Sequence, residues 1–488
     1  MKNKPLREDI IIVGGGIMGL TLAALINEIK PENKIILIER LSGCGEESSK
    51  GLNNAGTGHA GYCELNYTPM KSGKVDITRA IEINEMFESS LQFWAYLDAN
   101  YSSFKPKKFL RKIPHISFVE GIKNVDFLKK RYEALRKQPV FKGMEFTTSL
   151  KKINEWAPLV MTGRNKENIV AATRINHGTD IDFGELTTQL LALLKKNSNF
   201  KILLNKDVAS ISKNSSNEWI VTMNCNNSGK KEALNSSKVF IAAGGKSVSL
   251  LQKIKLKEIS GYGGFPLSGK WLVCTNPSIV KQHNVKVYGQ ALPKAPPMSI
   301  PHLDLRVIGK TKTLMFGPFA GCTLKFLKNG SILDFPKSIR LNNAATMLSI
   351  FFNNLKLVKF LISQSLDTHN IRMKQLKNYY PAACNKDWVL LSAGQRVQIL
   401  KIDNKGFAKI EFGTEIIYTE DRSLAGIIGA SPGASISAHS MIDVLCELFP
   451  DVRQSTISNI VPGYGHALNK NPKKLNFIRK KVYAQLGL

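Results

Sequence analysis

The segment Asp9–Arg40 constrains the fold of this chain more than any other stretch. Its apolar run Ile10–Val13 is bounded by glycines and is too short for a helix, so it predicts a buried parallel strand. Glycines with the spacing G-x-G-x-x-G follow, then an apolar helix, then a second apolar run, Ile35–Ile38. This order of strand, glycine turn, helix and strand predicts an α/β fold built around a parallel sheet.

Each glycine of this turn has its own physical role. Gly14 allows the tight turn, Gly16 lets the backbone approach a pyrophosphate, and Gly19 lets the helix lie close to the strand. The positive N-terminal end of the helix faces the phosphates. Glu39 follows Gly19 by twenty residues, where a carboxylate accepts hydrogen bonds from a ribose. These residues predict a bound dinucleotide; Glu39 argues against NADP, and FAD and NAD both stay open at this point.

A long polar loop, Gly43–Pro69, follows the second strand. Such a segment inside a compact fold is usually functional, although a solvent-exposed loop is the alternative. Small polar residues and glycines concentrate in it, and they offer hydrogen-bonding groups and close backbone approach to a flat ring system. The candidate cofactor-binding residues of this loop are Ser48, Ser49, Asn54, Gly56 and Thr57.

The formal net charge of the 488 residues is +30. A charge of this size suits nucleic acid, an anionic membrane surface or an acidic substrate. The lysines are dispersed over the whole chain, as biased codon usage would also produce, and no nucleic-acid-binding module accompanies them. We therefore expect no nucleic-acid partner, and the positive charge is either compositional or attracts the protein to a membrane.

The seven cysteines are scattered, odd in number and free of C-x-x-C pairs. This pattern argues against both a metal site and a disulfide framework. No stretch approaches the roughly eighteen apolar residues of a membrane span, and no signal-peptide pattern is found near the N-terminus. These features predict a protein of the reducing cytoplasm without a bound metal.

Later segments predict further strands and one long helix. Lys238–Lys246 predicts a second buried strand beside the first, and Ala295–Ile308 and Thr313–Leu327 predict two antiparallel strands. Met347–Leu366 predicts one helix that is apolar over most of its circumference, either buried or lying in a membrane surface.

The glycine-rich segment Gly429–Ser435 precedes a predicted helix and is a candidate anion site. Gly429 and Gly433 are its candidate cofactor contacts.

Motifs along nearly the whole chain resemble, in the same order, those of malate:quinone oxidoreductases. The matching segments are GGGIMG, ESSKGLNNAGTGHAGYCELNYTP, HGTDIDFGELT, GYGGFPLSGKWLVC, APPMSIPHLDLRVI, FGPFAG, GQRVQI and GASPGAS. The layout is more distantly similar to flavoproteins of the glycine oxidase and 2-hydroxyglutarate dehydrogenase type. The resemblance implies FAD, oxidation of L-malate to oxaloacetate in the tricarboxylic acid cycle, and delivery of electrons to a membrane quinone of the respiratory chain. It also implies peripheral attachment at the cytoplasmic face of the cell membrane.

Two domains are expected on the same basis. A discontinuous Rossmann-like FAD-binding domain is predicted for residues 1–95, 166–255 and 385–488. A substrate or cap domain with a mixed, largely antiparallel β-sheet is predicted for residues 96–165 and 256–384.

Oxidation of malate requires cations that hold its carboxylates, and arginine suits this task because its planar fork binds a carboxylate through two hydrogen bonds. Related flavoproteins place substrate-binding residues on a strand like PHLDLR, so Arg306 is the first candidate and counts among the catalytic candidates as well. Arg396 is the second, with a structural ion pair as the alternative, and Lys270 is a further candidate.

The reaction also requires a base for the hydroxyl proton, and an imidazole titrates near neutrality. His302 is the first candidate, and His59, close to the presumed flavin, is the competing one. Residues two apart in a strand share a face, so Asp304 is expected beside His302 and Arg306, where it would orient either.

Other functions stay open on the sequence alone. One is an FAD-dependent oxidase or dehydrogenase of an amino acid or of another 2-hydroxy acid such as 2-hydroxyglutarate. Another is a flavoprotein that only binds or regulates, on nucleic acid. A dicarboxylate needs two cationic groups, whereas an amino acid needs one cation and an acceptor for its ammonium group. The sequence leaves the oligomeric state open.

Overall fold

Two β-sheets carry the fold of this chain. The structure is a computed structural model that describes residues 7–290, 300–403, 406–411, 413–429 and 433–488. Within these residues one sheet has eight strands, the other has nine, and two short two-stranded sheets accompany them.

The eight-stranded sheet contains the strand predicted first from the sequence. Its strands are β1 Arg7–Val13, β2 Ile35–Ile38, β10 Phe200–Leu203, β11 Lys206–Lys213, β12 Trp219–Cys225, β13 Lys231–Ile241, β20 Thr414–Tyr418 and β21 Leu424–Gly429. Their order is β10-β2-β1-β13-β12-β11, and β21 pairs with the end of β13 and with β20. The pairs among β10, β2, β1, β13 and β21 are parallel, and the other pairs are antiparallel.

The nine-stranded sheet is antiparallel except where β15 meets β6. Its strands are β6 His115–Glu120, β7 Glu145–Thr147, β8 Val170–Ile175, β14 Gly263–Cys274, β15 Lys286–Tyr288, β16 His302–Ile308, β17 Thr311–Cys322, β18 Val389–Ile402 and β19 Ala408–Glu411. They follow the order β19-β18-β14-β17-β16-β15-β6-β8-β7. The short sheets pair β3 Met70–Lys71 with β4 Lys74–Val75, and β5 Leu110–Lys112 with β9 Thr179–Ile181.

Helices surround the two large sheets. They are α1 Ile17–Ile29, α2 Thr78–Asn100, α3 Ile122–Leu135, α4 Leu150–Trp156, α5 Pro158–Met161, α6 Phe183–Leu194, α7 Lys246–Ile254, α8 Pro277–Val280, α9 Asp334–Ser338, α10 Leu341–Asn353, α11 Leu355–Leu366, α12 His369–Lys377, α13 Ser437–Leu448, α14 Gln454–Ile460 and α15 Pro472–Leu486. In the largest core α1 contacts α6 and α13, and α2 contacts α13 and α15.

The continuous apolar runs of β1 and β2 follow from burial on both sides of the sheet. Ile10 and Ile12 belong to the core that contains α1, whereas Ile11 and Val13 belong to the core that contains Val248 of α7. Alternate residues of a strand point to opposite faces, so a strand covered on both faces needs apolar residues at every position.

The predicted fold class, an α/β protein with a parallel sheet and a mixed, largely antiparallel second sheet, is confirmed. The two predicted antiparallel strands are β16 and β17, and residues 295–299 of the first prediction lie outside the described residues. Three strands within the ranges predicted for the first domain, β8, β18 and β19, lie in the nine-stranded sheet.

The prediction of one helix over Met347–Leu366 is wrong. The chain forms two helices there, α10 and α11, which meet near Asn354 at an angle of 78°. The buried alternative also fails for most of this segment, since only three of its twelve apolar side chains are buried and six are exposed. Among the described residues no single helix is long and apolar enough to cross a membrane, and only this bent pair meets that criterion jointly.

Candidate active site

A cavity of about 560 Å³ lies between the two large sheets. Val13 and Ile38, the last residues of the parallel strands β1 and β2, line one part of it. Tyr288, His302 and Arg396, from three strands of the nine-stranded sheet, line another. In open α/β sheets ligands bind at the carboxyl ends of parallel strands, so the topology itself makes this cavity the candidate site.

Glycines make the first part of the cavity possible. Gly14 has a φ of +111°, and a Cβ there would lie 2.3 Å from the carbonyl oxygen of Ala242. A Cβ on Gly19 would lie 2.1 Å from the carbonyl oxygen of Gly14, so Gly19 is needed for helix packing and does not itself line the cavity. Gly16 lines the cavity, with Ser49 Oγ as the one atom near its Cβ position.

The acid at the end of β2 is held by the backbone. Glu39 lines the cavity, and its carboxylate accepts hydrogen bonds from the amides of Gly15 and Leu41, both at 2.8 Å. Burial raises the pKa of Glu39, while these two amides act in the opposite direction. The carboxylate therefore stands beside the glycine turn, as the sequence pattern predicts.

The polar loop lies along the same cavity, and Ser48, Ser49, Asn54, Gly56 and Thr57 all line it. Ser49 Oγ accepts a hydrogen bond from the Ile17 amide at 3.1 Å, at the first turn of α1. The Asn54 amide group donates to the carbonyl oxygens of Ser48, Ser49 and Lys50, so this side chain shapes the loop itself.

Gly429, at the end of β21, and Gly433 also line the cavity. Gly429 has a φ of +88°, and a Cβ there would lie 2.1 Å from the carbonyl oxygen of Gly413. Residues 430–432 of the predicted anion site lie outside the described residues.

His302 is the central side chain of the second part of the cavity. Its ring stacks on Tyr288, with centroids 4.1 Å apart and planes 3° from parallel. Its Nδ1 lies 2.8 Å from Asp304 Oδ2, a close contact without the alignment of a good hydrogen bond. The antiparallel register explains this arrangement, since Tyr288 stands opposite His302 and Lys286 opposite Asp304. Asp304 therefore stands beside Nδ1 of a histidine that lines the cavity.

A row of alternating charges continues beneath His302. Lys286 Nζ donates hydrogen bonds to Asp304 Oδ2 at 3.3 Å and to the Ala55 carbonyl oxygen at 3.0 Å, and it forms an ion pair with Asp180 Oδ1 at 2.9 Å. Asp180 in turn binds the guanidinium of Arg306. We call Asp304, Lys286, Asp180 and Arg306 the buried charge row; their side chains are at most 1% exposed.

The charge row fixes the ionisation of its first member. Burial alone would raise the pKa of Asp304, but His302 and Lys286 outweigh burial and lower the pKa to about 2. Asp304 is therefore an anion at neutral pH, directly beside the imidazole.

Arg306, the first candidate for substrate binding, does not line the cavity. Its guanidinium also donates to the carbonyl oxygens of Gly51 at 2.9 Å and Ile181 at 3.1 Å, and it lies so close to Gly56 that a Cβ there would clash with it. This placement favours a role in holding the cofactor loop. Lys270 is half-buried on β14 and likewise does not line the cavity.

Arg396 is the cation that the cavity leaves unpaired. Among the described residues five lysines and arginines line the cavity, and four of them form ion pairs: Arg40 with Glu47, Arg79 with Glu82, Lys206 with Glu232, and Lys246 with Asp207. Arg396 alone has no acidic partner in the described part of the chain. Burial lowers its pKa, with Tyr288 and Tyr67 acting against that change.

His59 also lines the cavity, and no hydrogen bond to it is found within the described ranges. Burial, followed by the positive charges of neighbouring groups such as His302 and Arg396, lowers its pKa to about 3. Its imidazole is therefore neutral at physiological pH.

Three functional candidates could not be identified from the sequence: Lys286, Asp180 and Tyr288. Lys286 and Asp180 are 106 positions apart, so only the folded chain brings them together. One signal existed, a lysine at the start of the short strand β15, since a lysine that is buried in a sheet requires an acidic partner. Glu64 was missed as well; it lines the cavity, and burial raises its pKa to about 7.

Comparison with known proteins gives a consistent result over the full chain. A family model described as malate:quinone oxidoreductase matches residues 6–488. A protein of Hahella chejuensis named "probable malate:quinone oxidoreductase" is 45% identical over 488 residues, which covers 99% of this chain and 98% of that protein. A protein of Geobacillus sp. strain WCH70 with the same name is 46% identical and covers 100% of this chain and 97% of its own length.

Solved structures share the fold at low sequence identity. The L-α-glycerophosphate oxidase of Mycoplasma pneumoniae, solved with FAD bound, has a TM-score of 0.59 and 16% identity, and the match covers 91% of this chain and 95% of that one. The glycine oxidase of Geobacillus kaustophilus has a TM-score of 0.58 and 14% identity over 92% of this chain and 96% of that one.

Proposed function

The chain belongs to the malate:quinone oxidoreductase family, and from this premise we propose that it oxidises L-malate to oxaloacetate. The C2 hydrogen leaves as a hydride to FAD, the hydroxyl proton leaves to a base, and the electrons pass to a membrane quinone. The observation that carries this proposal is Arg396, a cavity cation without an acidic partner among the described residues, in the same cavity as the His302–Asp304 pair.

FAD fits the first part of the cavity. The glycine turn at the N-terminus of α1 leaves room for a pyrophosphate. Glu39 stands where the hydroxyl groups of a ribose would donate hydrogen bonds to its carboxylate. The loop of Ser49, Gly56 and Thr57 offers small side chains along the path towards His302. When bound, FAD supplies the hydride acceptor for the reaction.

Arg396 suits one carboxylate of malate because its guanidinium is half-buried and, within the described ranges, has no acidic partner. A charged hydrogen bond in such a site contributes about 1.5–3 kcal/mol. Arg79, which lines the same cavity and is bound to Glu82 at 3.1 Å near the surface, is the candidate for the second carboxylate.

We assign the base to His302 rather than to His59. The Asp304 carboxylate stabilises the imidazolium that forms when His302 takes the hydroxyl proton. His59 has no such carboxylate in the part of the chain that the structure describes, and its lowered pKa makes it a poor proton acceptor, although it is able to donate or accept a hydrogen bond. Arg306 becomes a positioning residue, which acts through Asp180 and the loop at Gly51.

A quinone as oxidant fits the energetics because malate is a weak reductant and a quinone has a higher potential than nicotinamide. Since membrane quinones dissolve in the bilayer, this oxidant also implies work at the inner face of the cell membrane, as a peripheral enzyme of the tricarboxylic acid cycle and the respiratory chain. The second candidate function is oxidation of another 2-hydroxy dicarboxylate such as 2-hydroxyglutarate, which Arg396 would bind equally well.

Steady-state assays of the purified protein test the proposal. We expect reduction of a soluble quinone that depends on L-malate, and no reduction of NAD under the same conditions. One extra methylene in a substrate changes the rate by about 10–200-fold in a fitted pocket, so 2-hydroxyglutarate should react more slowly by a factor in that range. Faster turnover of 2-hydroxyglutarate would establish the second candidate, and reduction of NAD in place of quinone would contradict the assigned oxidant.

A further inference from the structure

The helix pair α10–α11 and its flanking segments carry an unusual share of exposed apolar side chains. Of the twenty-one large hydrophobic residues that are exposed in the described part of the chain, eleven lie between Leu324 and Leu366. This segment is less than a tenth of the 488 residues. The most exposed members on the two helices are Leu341, Leu348, Phe352 and Leu366. Exposed apolar side chains concentrated in one segment of the fold mark an interaction site.

The same segment has a consistent positive charge. From Leu324 to Leu366 the sequence contains five lysines, one arginine and a single acidic residue, Asp334. Lys356 and Lys359 at the start of α11 are exposed, and neither has an ion-pair partner among the residues that the structure describes. Lysines beside exposed Phe and Leu side chains are typical of a helix that lies in a membrane interface and meets anionic lipid headgroups.

Burial is confined to one side of the pair, which holds it on the protein. Met347 and Ile350 of α10 pack against Leu400 of β18, and Leu361 of α11 packs against Leu267 of β14. The amide of Cys322 also donates to Ser365 Oγ at 2.7 Å. The 78° bend between the helices presents their other faces outwards.

The strands beneath the pair lead to the cavity. Cys322, bonded to α11, is four residues along β17 from Pro318, which lines the cavity, a separation of about 13 Å in a strand. Leu267, which contacts Leu361, stands opposite Arg396 in the register of β14 and β18. A surface seated on the bilayer here would bring the cavity within reach of a lipid-soluble oxidant.

We propose that α10, α11 and the flanking apolar residues 324–340 form the docking surface by which this protein binds a bilayer that contains anionic lipids. Phe351, Phe352 and Leu348 enter the interface between headgroups and acyl chains, and Lys356 and Lys359 contact lipid phosphates. The proposal rests on the proposed function in one respect: the membrane quinone explains why the protein would bind a bilayer. The docking surface itself follows from the exposure and the charge of these side chains.

Vesicle co-sedimentation of the full-length protein, with neither malate nor quinone present, tests the docking surface. The vesicles contain phosphatidylcholine alone or phosphatidylcholine mixed with phosphatidylglycerol. We expect binding to the mixed vesicles that weakens as salt is added. The double variant Phe351→Ser/Phe352→Ser should bind on the order of tenfold more weakly or not at all. Phe477→Ser on α15, which removes an exposed phenylalanine elsewhere, is the matched control and should bind as wild type does.

A second pair of variants keeps the test independent of the aromatic residues. Lys356→Glu/Lys359→Glu should weaken binding to the mixed vesicles by on the order of tenfold or more, because each lysine near an anionic surface contributes to binding. Lys480→Glu/Lys481→Glu on α15 applies the same charge change to exposed lysines outside the surface. Thermal melting and the turnover of malate with a soluble quinone check that each variant is folded.

The proposal is overturned if wild type does not bind the mixed vesicles, or if both surface variants bind as the controls do. It is also overturned if light scattering shows that wild type is a dimer which the Phe351→Ser/Phe352→Ser variant dissociates, because the occupant is then a second copy of the chain. Binding lost in the surface variants while malate oxidation with a soluble quinone persists supports docking. Absence of malate oxidation in a protein that binds vesicles would contradict the proposed function and leave docking intact.

Discussion

Charged side chains usually lie on the surface of a protein and large apolar side chains in its interior. The buried charge row and the α10–α11 docking surface depart from this rule in opposite directions. In the charge row Asp304, Lys286, Asp180 and Arg306 lie inside the protein, where charged residues are rare unless paired. In the docking surface, phenylalanine and leucine side chains face outwards. The first departure is compensated within the chain, because every charge of the row meets an opposite one. The second has no compensation among the described residues, which is why it points to a partner outside the chain.

The two regions should respond differently when a single side chain is removed. Desolvated charges are stable only as a complete set, so removing one member should damage the whole. Exposed apolar residues contribute little to stability, so removing one should damage only an external interaction. We therefore expect the largest effects on stability from the charge row and the smallest from the exposed face of α10, with the cavity residues acting mainly on turnover.

Lys286→Met should have the largest effect. It leaves the buried carboxylates of Asp180 and Asp304 without their shared cation, which costs about 3–5 kcal/mol of unfolding free energy. Chemical denaturation measures the loss. The control Lys281→Met removes an exposed lysine five positions away and should stay within about 0.5 kcal/mol of wild type. Equal stability of the two variants would show that the row is not a coupled set.

His302→Asn should lower kcat for malate oxidation by about 10²–10⁴-fold, the range associated with loss of a general base. His59→Asn is the matched control in the same cavity, and we expect it to lower kcat by about tenfold or less because His59 has no carboxylate partner among the residues described. Steady-state turnover with a soluble quinone measures both. The reverse order of the two effects would transfer the role of base to His59.

Arg396→Gln should raise KM for malate by roughly 10–100-fold, which corresponds to the loss of a charged hydrogen bond in a half-buried site. Its effect on stability should be small, since Arg396 has no ion pair to break within the described residues. Lys270→Gln, on a strand of the same sheet but away from the cavity, is the control for a nearby loss of charge. An unchanged KM in Arg396→Gln would remove this residue from the substrate site.

The lowered pKa of His59 makes a prediction about acid stability. Its pKa is about 3 in the folded protein and about 6.5 when exposed, so the unfolded chain binds the proton more readily between these values. This contribution is absent above pH 6.5 and destabilises the fold progressively as the pH falls from about 6.5 to 3. At about pH 5 it amounts to roughly 2 kcal/mol.

His59→Asn removes this contribution, so wild type and variant should differ less in stability at about pH 5 than at neutral pH, or the variant should become the more stable one. Denaturation curves at the two pH values measure the difference. Parallel loss of stability in both proteins would show that His59 is not held neutral by burial.

Leu348→Ser on α10 should have the smallest effect, within about 0.5 kcal/mol of wild type, because this side chain is exposed. Ile350→Ser, two positions along the same helix, removes a buried side chain and should cost about 2–5 kcal/mol. Thermal denaturation compares them. A large destabilisation by Leu348→Ser would mean that α10 lies buried in the protein and not on its surface.

The parts of the fold that follow from local pattern were predictable. Ile10–Val13 and Ile35–Ile38 are apolar at every position because both sheet faces are covered, and the observed strands β1 and β2 include these residues. The N-terminus of α6 was predictable too, since Asp182 accepts hydrogen bonds from the amides of Gly184 and Glu185. Such features depend on residues that are close in sequence.

Features that depend on tertiary pairing were not predictable. The role of Arg306 could not be assigned from its strand, because the residue that binds it, Asp180, is 126 positions away. The composition of Met347–Leu366 fits a buried helix and a surface helix equally well, since an apolar side chain does not indicate what covers it. The bend at Asn354 likewise could not be predicted, because no proline or glycine occurs there in the sequence.

Anaerobic mixing with L-malate tests the central claim most directly, that this cavity oxidises malate at a bound flavin. The purified protein should show a flavin spectrum, and L-malate should bleach it in wild type but only very slowly in His302→Asn. Addition of a soluble quinone should then restore the oxidised spectrum. A flavin that stays oxidised in malate, or a folded protein without any flavin, would contradict the account.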